Sequence, residues 1–335
     1  MIIKTKAYPR VGLIGNPSDG FFGKTISFAF KNFCAQVVLY ESPELQILPN
    51  SKDRSVFLSV RELVNDVRLH GYYGGIRLLK ATVKRFYDYC RDHDIELHDK
   101  NFTIQYKSNI PHGVGLAGSS AIITACLRAV MTFYGVSIPK YVQANLILSA
   151  ECDELNIAAG LQDRVVQVYE GLVYMDFDKT LMKNQGYGLY QSLDPRLLPP
   201  LYVAYREDLA KVSGRIHDNI RERFVQGEPA VTSAIRYWAR LTDKAKSCIM
   251  NGQKEKLGDL LNANFDRRRK IYNISPENIQ MLEEARSLGA SAKFTGSGGA
   301  IVGTIESEKM FKDLKKRLGQ LKVKVIRPTI AIPKG

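Results

Sequence analysis

Apolar positions recur along this chain at two spacings, and each spacing marks a different kind of element. Arg10–Gly15 (RVGLIG), Ala35–Tyr40 (AQVVLY) and Phe102–Tyr106 (FTIQY) are short runs rich in Val, Ile, Leu and aromatics, the composition of β-strands. Between them, Gly75–His93 carries Ile76, Leu79, Val83, Phe86, Tyr87 and Cys90 at three- and four-residue steps, which predicts a helix with one buried stripe. Further helices are expected over Gly118–Phe133 and Pro139–Glu154, with Pro139 in a first turn where its missing N–H is not needed. Leu172–Phe177 (LVYMDF) reads as another strand, whereas Ile26–Phe30 fits a helix no better than a strand.

The most proline-dense stretch is Asp194–Pro200 (DPRLLPP), the natural place for a hinge. It divides the chain into residues 1–190 and 200–335. Beyond it a strand is expected at Leu201–Tyr205, then several helices to about Leu288. Two strands flank a glycine-rich turn at Gly296–Gly299, and a helix at Lys309–Leu318 and a strand at Val323–Ile326 close the pattern. No internal repeat or low-complexity tract interrupts it. The fold class is α+β with two domains.

Composition narrows the class further. With 335 residues, 45% hydrophobic and 24% charged, the chain is ordinary for a globular protein and unlike disordered or collagenous ones. Its five cysteines are widely spaced and form no Cys-x-x-Cys pair, so neither a zinc site nor a disulfide framework is expected. The opening residues are too short and too alternating for a signal peptide, and no apolar run approaches the ~20 residues of a membrane span. A cytoplasmic protein with no membrane partner is expected, as a monomer or homodimer.

Charge is the one unusual figure: 48 Lys and Arg against 34 Asp and Glu, a net +14, which points to an anionic partner. Its densest runs, Arg267–Lys270 and Lys312–Lys324, fall in helical segments or their exits and read as solvated helix faces. No zinc knuckle, helix-turn-helix or aromatic RNA-binding pair accompanies them, so no nucleic-acid partner is expected. Small anions are the better match.

Three glycine-rich loops and one acidic helix carry candidate chemistry. Pro111–Ala121 (PHGVGLAGSSA) follows a strand and enters an apolar helix. Gly113, Gly115 and Gly118 let backbone N–H groups approach a phosphate at a helix N-terminus, with Pro111, Leu116 and Ala121 framing the turn. Ser119 and Ser120 supply one hydroxyl to cap the helix and one to reach a phosphate-bound Mg2+. In the other half, Lys293–Ala300 (KFTGSGGA) places Gly296, Ser297 and Gly298 between two strands, where they could close on the same phosphates. The loop after the first strand contains Arg10 and Asp19. Gly23-Lys24-Thr25 resembles the end of a Walker A loop, but that pattern needs a glycine at position 18, where Ser18 stands. Finally, Ser149–Asp163 gathers Glu151, Asp153, Glu154 and Asp163. Phosphoryl transfer uses one carboxylate to hold Mg2+ and another to orient or deprotonate the attacking hydroxyl.

Together these segments resemble the GHMP kinases, the superfamily that includes galactokinase, homoserine kinase and mevalonate kinase. RVGLIG is similar to its N-terminal motif, 111–121 to its P-x-x-x-G-L-x-S-S-A phosphate loop with one extra small residue before Ser119, and 293–300 to its C-terminal glycine motif. GNPSD (15–19), GYYGGIRLL (71–79), AGLQDRV (159–165), GLVYMDF (171–177) and LPPL (198–201) narrow the resemblance to the glucuronokinase family. The resemblance implies a ribosomal-protein-S5-like N-terminal domain and a ferredoxin-like C-terminal domain. It implies ATP and Mg2+ as cofactors and a sugar acid as substrate, phosphorylated at the anomeric hydroxyl of D-glucuronate. By the same resemblance Asp163 is the catalytic base and Arg10 its basic partner. Ser120 and Glu151 hold Mg2+, with Glu154 one turn away as an alternative, and Asp19, Tyr72 and Tyr73 bind the sugar. The alternatives are another small acceptor, galactose-like or mevalonate-like, or a sensor of the same fold without catalysis.

Overall fold

The computed structural model describes residues 1–49, 53, 59, 74–209 and 218–333. In chain order the elements are β1 (Ile2–Ala7), β2 (Arg10–Ile14), β3 (Lys24–Ala29), β4 (Ala35–Ser42), β5 (Gln46–Leu48), α1 (Gly75–Asp92), β6 (Asn101–Ser108), α2 (Gly118–Tyr134), α3 (Lys140–Cys152), α4 (Leu161–Tyr169), β7 (Leu172–Asp176), α5 (Lys179–Gln185) and β8 (Leu189–Leu193). There follow β9 (Leu201–Tyr205), α6 (Asp218–Val225), α7 (Pro229–Met250), α8 (Leu257–Arg269), α9 (Pro276–Ser287), β10 (Lys293–Phe294), β11 (Ala300–Thr304), α10 (Glu308–Gly319) and β12 (Lys324–Ile326). Spatial contacts group them into two compact units.

The first unit comprises Met1–Pro9, Phe33–Ile110 and Gly118–Val168. Its sheet has the order β1-β4-β6-β5; β1, β4 and β6 run antiparallel, and β5 lies parallel to β6 after the α1 crossover. Alternate residues of β4 (Ala35, Val37, Leu39) face the core and their neighbours do not, the period-two signature of a half-buried strand. Helix α2 packs against β1 and β4 and against α1, and it is buried nearly all round. That explains its uniformly apolar sequence, since a helix covered on every side needs no polar face. In α1 the buried stripe is Leu78, Leu79, Thr82, Phe86 and Cys90, while Tyr87, placed in the stripe by spacing, stands exposed.

The second unit comprises Arg10–Asn32, Pro111–Ala117 and Tyr169–Gly335. It contains two antiparallel sheets, β2-β3-β7-β8 and β10-β11-β9-β12. The second sheet follows a β-α-β-β-α-β chain order with β9 and β11 central, the ferredoxin-like arrangement. Helix α7 packs on β2, β3 and α8 and buries Trp238, whose indole N–H donates to the Asn264 carbonyl at 3.0 Å. Helix starts follow their sequence signals: Ser275 caps α9 ahead of Pro276, and Ser307 caps α10.

Several expectations change. Residues 26–30, which fit a helix no better than a strand, fall mostly in β3, hydrogen-bonded on both sides to β2 and β7. Pro139 is the N-cap of α3 rather than a first-turn residue. Asp194–Pro200 lies inside the second compact unit. The run Arg267–Lys270 is not uniformly a solvated face, because Arg268 is 2% exposed. Among the described residues no helix is long and apolar enough to cross a membrane.

Candidate active site

In the first unit the acidic segment ends α3 and begins α4. Glu151, in the last turn of α3, is fully buried. Its Oε1 accepts the Ser119 hydroxyl at 2.7 Å, and its Oε2 is ion-paired with the guanidinium of Arg164. Arg164 is buried as well; it donates from Nη1 to the Gly160 carbonyl at 2.8 Å and pairs with Asp163 Oδ2 at 3.2 Å. Burial works against the Arg164 charge, but Glu151 and Asp163 outweigh it and hold the guanidinium charged beyond its usual range. One arginine therefore bridges both carboxylates that the sequence singled out. Asp163 sits in the first turn of α4, where a carboxylate is favoured by the helix dipole.

The serine beside Glu151 is Ser119, while Ser120, expected as the metal hydroxyl, is fully buried one residue along α2. Glu154, the alternative to Glu151, is engaged by Lys84 at 2.8 Å on the surface. Among the described residues no three His, Cys, Asp or Glu side chains gather as a metal cluster. A buried carboxylate with an alcohol oxygen on it is a hard-oxygen donor pair, which fits Mg2+, an ion that takes few protein ligands and fills its shell with water and phosphate oxygens.

In the second unit three loops are drawn together. Arg10 opens β2 almost fully buried; its Nη1 donates to the carbonyls of Gly115 at 2.8 Å and Thr295 at 2.9 Å. Its backbone N–H donates to Leu116 O, and Gly12 N–H donates to Thr295 O. The Thr295 hydroxyl donates to Gly115 O at 3.1 Å. Two glycines make this closeness possible. A Cβ on Gly296 would lie 2.6 Å from Gly115 O, and one on Gly115, whose φ is +70°, would lie 2.9 Å from Gly298 O. The expected phosphate-loop and glycine-motif residues thus meet within this unit at Gly115, Gly296 and Gly298.

Sequence reasoning missed two buried basic residues here. Lys293, the residue before Phe294, is 1% exposed and donates from Nζ to Gly12 O, Asn16 Oδ1 and Phe294 O at 2.6–2.7 Å. Burial, with Arg268 and Arg10 adding repulsion, pushes its pKa well below the ordinary lysine value. Arg268, at the end of α8, donates to Gly296 O at 2.7 Å and Ser297 O at 3.2 Å. Its guanidinium carbon lies 4.9 Å from the Tyr272 ring centre and 5.2 Å from that of Phe294. The signal was present: a lysine within an apolar strand, and an arginine that continues the buried Leu257, Leu261, Phe265 stripe of α8.

Asp19 lies partly buried in a short 3-10 turn after β2 and acts electrostatically on Arg268 and Tyr272. Tyr72 and Tyr73 lie outside the described residues. Arg164 is taken by Glu151 and Asp163, Arg206 pairs with Asp208, and Arg267 donates to Ser233.

Comparison with known proteins identifies the family. Residues 77–171 match the GHMP kinases N terminal domain and residues 245–321 the GHMP kinases C terminal domain. Glucuronokinase 1 of Arabidopsis thaliana is 44% identical, aligning over 90% of this chain and 84% of the relative. Probable glucuronokinase 2 of the same plant is 46% identical over the same shares of each chain. The structure of Lactococcus lactis galactokinase complexed with galactose superposes with a TM-score of 0.73 at 15% identity, over 98% of this chain and 93% of that one. The fold is the two-domain GHMP kinase fold, and this chain belongs to the GHMP kinase family as a small-molecule kinase.

Proposed function

We propose that this chain transfers the γ-phosphoryl group of ATP to the anomeric hydroxyl of D-glucuronate, giving glucuronate 1-phosphate for UDP-glucuronate synthesis. The observation that carries the reading is the 44–46% identity to glucuronokinases over 84% of their length. A bond forms between the sugar O1 and the γ-phosphorus as the bond to the β,γ-bridging oxygen breaks, with ADP leaving in line. Asp163 orients the hydroxyl and takes its proton. Arg10 and the N–H groups of the 113–118 and 296–298 loops neutralise charge developing on the phosphoryl oxygens. Asp19 holds sugar hydroxyls. Mg2+, when bound, screens the phosphate charges, and Glu151 with the serine pair Ser119 and Ser120 would hold it. Residues 1–190 and 200–335 are taken as the family's two domains, in a cytoplasmic monomer or homodimer.

The test is ADP release over a panel of sugars and uronic acids. Turnover with glucuronate and not with galactose or mevalonate is expected. Turnover with galactose alone would move the acceptor elsewhere in the family, and ATP binding with no turnover of any acceptor would favour a non-catalytic sensor.

A further inference from the structure

Building on the nucleotide-binding reading, the geometry points to Arg268 as a positioning residue that turns two backbone amides of the glycine loop toward the nucleotide's phosphates. In a planar trans peptide the carbonyl and the following N–H point in opposite directions. Arg268 holds the carbonyls of two consecutive residues, Gly296 and Ser297, on its own side. The N–H groups of Ser297 and Gly298 are thereby turned away from it. Neither amide donates to any group among the described residues, whereas the next one, Gly299, is bonded to Asn278 Oδ1 at 2.9 Å. Two adjacent amides directed the same way form a concavity suited to an anion, and phosphate oxygens are the anions this chain's family handles.

The clamp itself is buried. Arg268 is 2% exposed, sandwiched near Tyr272 and Phe294, and pairs with no carboxylate among the described residues. Two separate nitrogens of one planar fork, Nη1 and Nη2, hold the two carbonyls, whereas a lysine gathers its donors on a single nitrogen at a different place along the stem. Arg268→Lys therefore keeps a basic stem in place and removes the span.

The experiment measures ATP binding by calorimetry, the Ki of inorganic triphosphate, KM for ATP and for the sugar, and melting temperature, in wild type and R268K. We expect ATP and triphosphate each to bind about tenfold more weakly, the loss of one charge-assisted contact. Sugar KM should stay within twofold. In Arg268→Ala, added methylguanidinium should restore part of the ATP affinity. Unchanged ATP affinity in R268K, equal loss of ATP and sugar affinity, or variants that no longer melt cooperatively would each overturn the assignment. A wild type that binds ATP but turns over no sugar acid refutes the proposed acceptor alone, because ATP affinity is the readout for Arg268.

Discussion

Replacing Arg164 by methionine should be far more harmful to stability than replacing any surface arginine. The side chain is 4% exposed, and the carboxylate it faces, Glu151, is fully buried. Removing it leaves Glu151 with one hydroxyl contact, from Ser119, and no counter-charge, and takes a cation from Asp163. Breaking a buried pair from one side costs about 3–5 kcal/mol, because the remaining charge is desolvated without compensation. A 335-residue chain has an unfolding entropy of roughly 0.7 kcal/mol per degree, so the melting temperature should fall by about 4–7 °C. The assay is thermal unfolding at neutral pH of R164M, E151Q and the double variant. In the double variant Glu151 no longer carries a charge to strand, so its loss should be smaller than the two single losses added, by at least about 1 kcal/mol. A drop under 2 °C in R164M, or strict additivity in the cycle, would refute the picture of one arginine compensating the buried acid.

Three further predictions test other residues. Asp163→Asn should abolish most phosphoryl transfer while leaving ATP affinity within about twofold; equal loss of both by calorimetry and ADP release would remove Asp163 from the role of base. Lys293 has a depressed pKa, so from that value up to the ordinary 10.5 the unfolded chain binds more protons than the folded one, and stability should rise with pH. Urea midpoints at pH 7, 8 and 9 should therefore climb in wild type relative to K293M, and a constant difference would count against the depressed value. Burial pushes the Cys126 thiol up to about 12. Native protein treated with iodoacetamide at pH 8 should leave Cys126 unmodified by peptide mass spectrometry, and rapid native labelling would contradict its burial.

Much of the fold was legible because packing and local pattern agree. The α1, α2 and β9 boundaries fall within a residue or so of their hydrophobic periods, since each buries one consistent face or is buried throughout. β3 was illegible for the opposite reason: all but its first residue are buried, so its polar Thr25 and Ser27 sit inside and blur the alternation. The site's residue types were legible as motifs, because glycine spacing reflects how closely backbone must approach backbone. Which partner each residue takes was not. That Glu151 contacts Ser119 and Arg164 depends on where α3 ends relative to α2 and α4, and no local pattern encodes that distance. Arg268 was hidden for a related reason. A run of four basic residues reads as solvent-facing, yet 3.6 residues per turn must carry one of the four inward on a helix packed on one side.

Charge compensation separates the two units by the sign of what each can hold. In the first unit the buried cation Arg164 is matched by Glu151 and Asp163, two carboxylates for one guanidinium, which leaves net negative charge for a cation to satisfy. In the second unit Arg268 is buried without a paired carboxylate among the described residues and is held by carbonyl oxygens, with Arg10 similarly engaged by two carbonyls. Neutral dipoles lower the cost of burying such cations but do not cancel their charge, so the surplus there is positive and an anion is the group that relieves it. Because these charges are buried, salt screens them weakly. The net +14 of the chain is thus beside the point for recognition: raising ionic strength should weaken the surface field and leave ATP affinity comparatively unmoved.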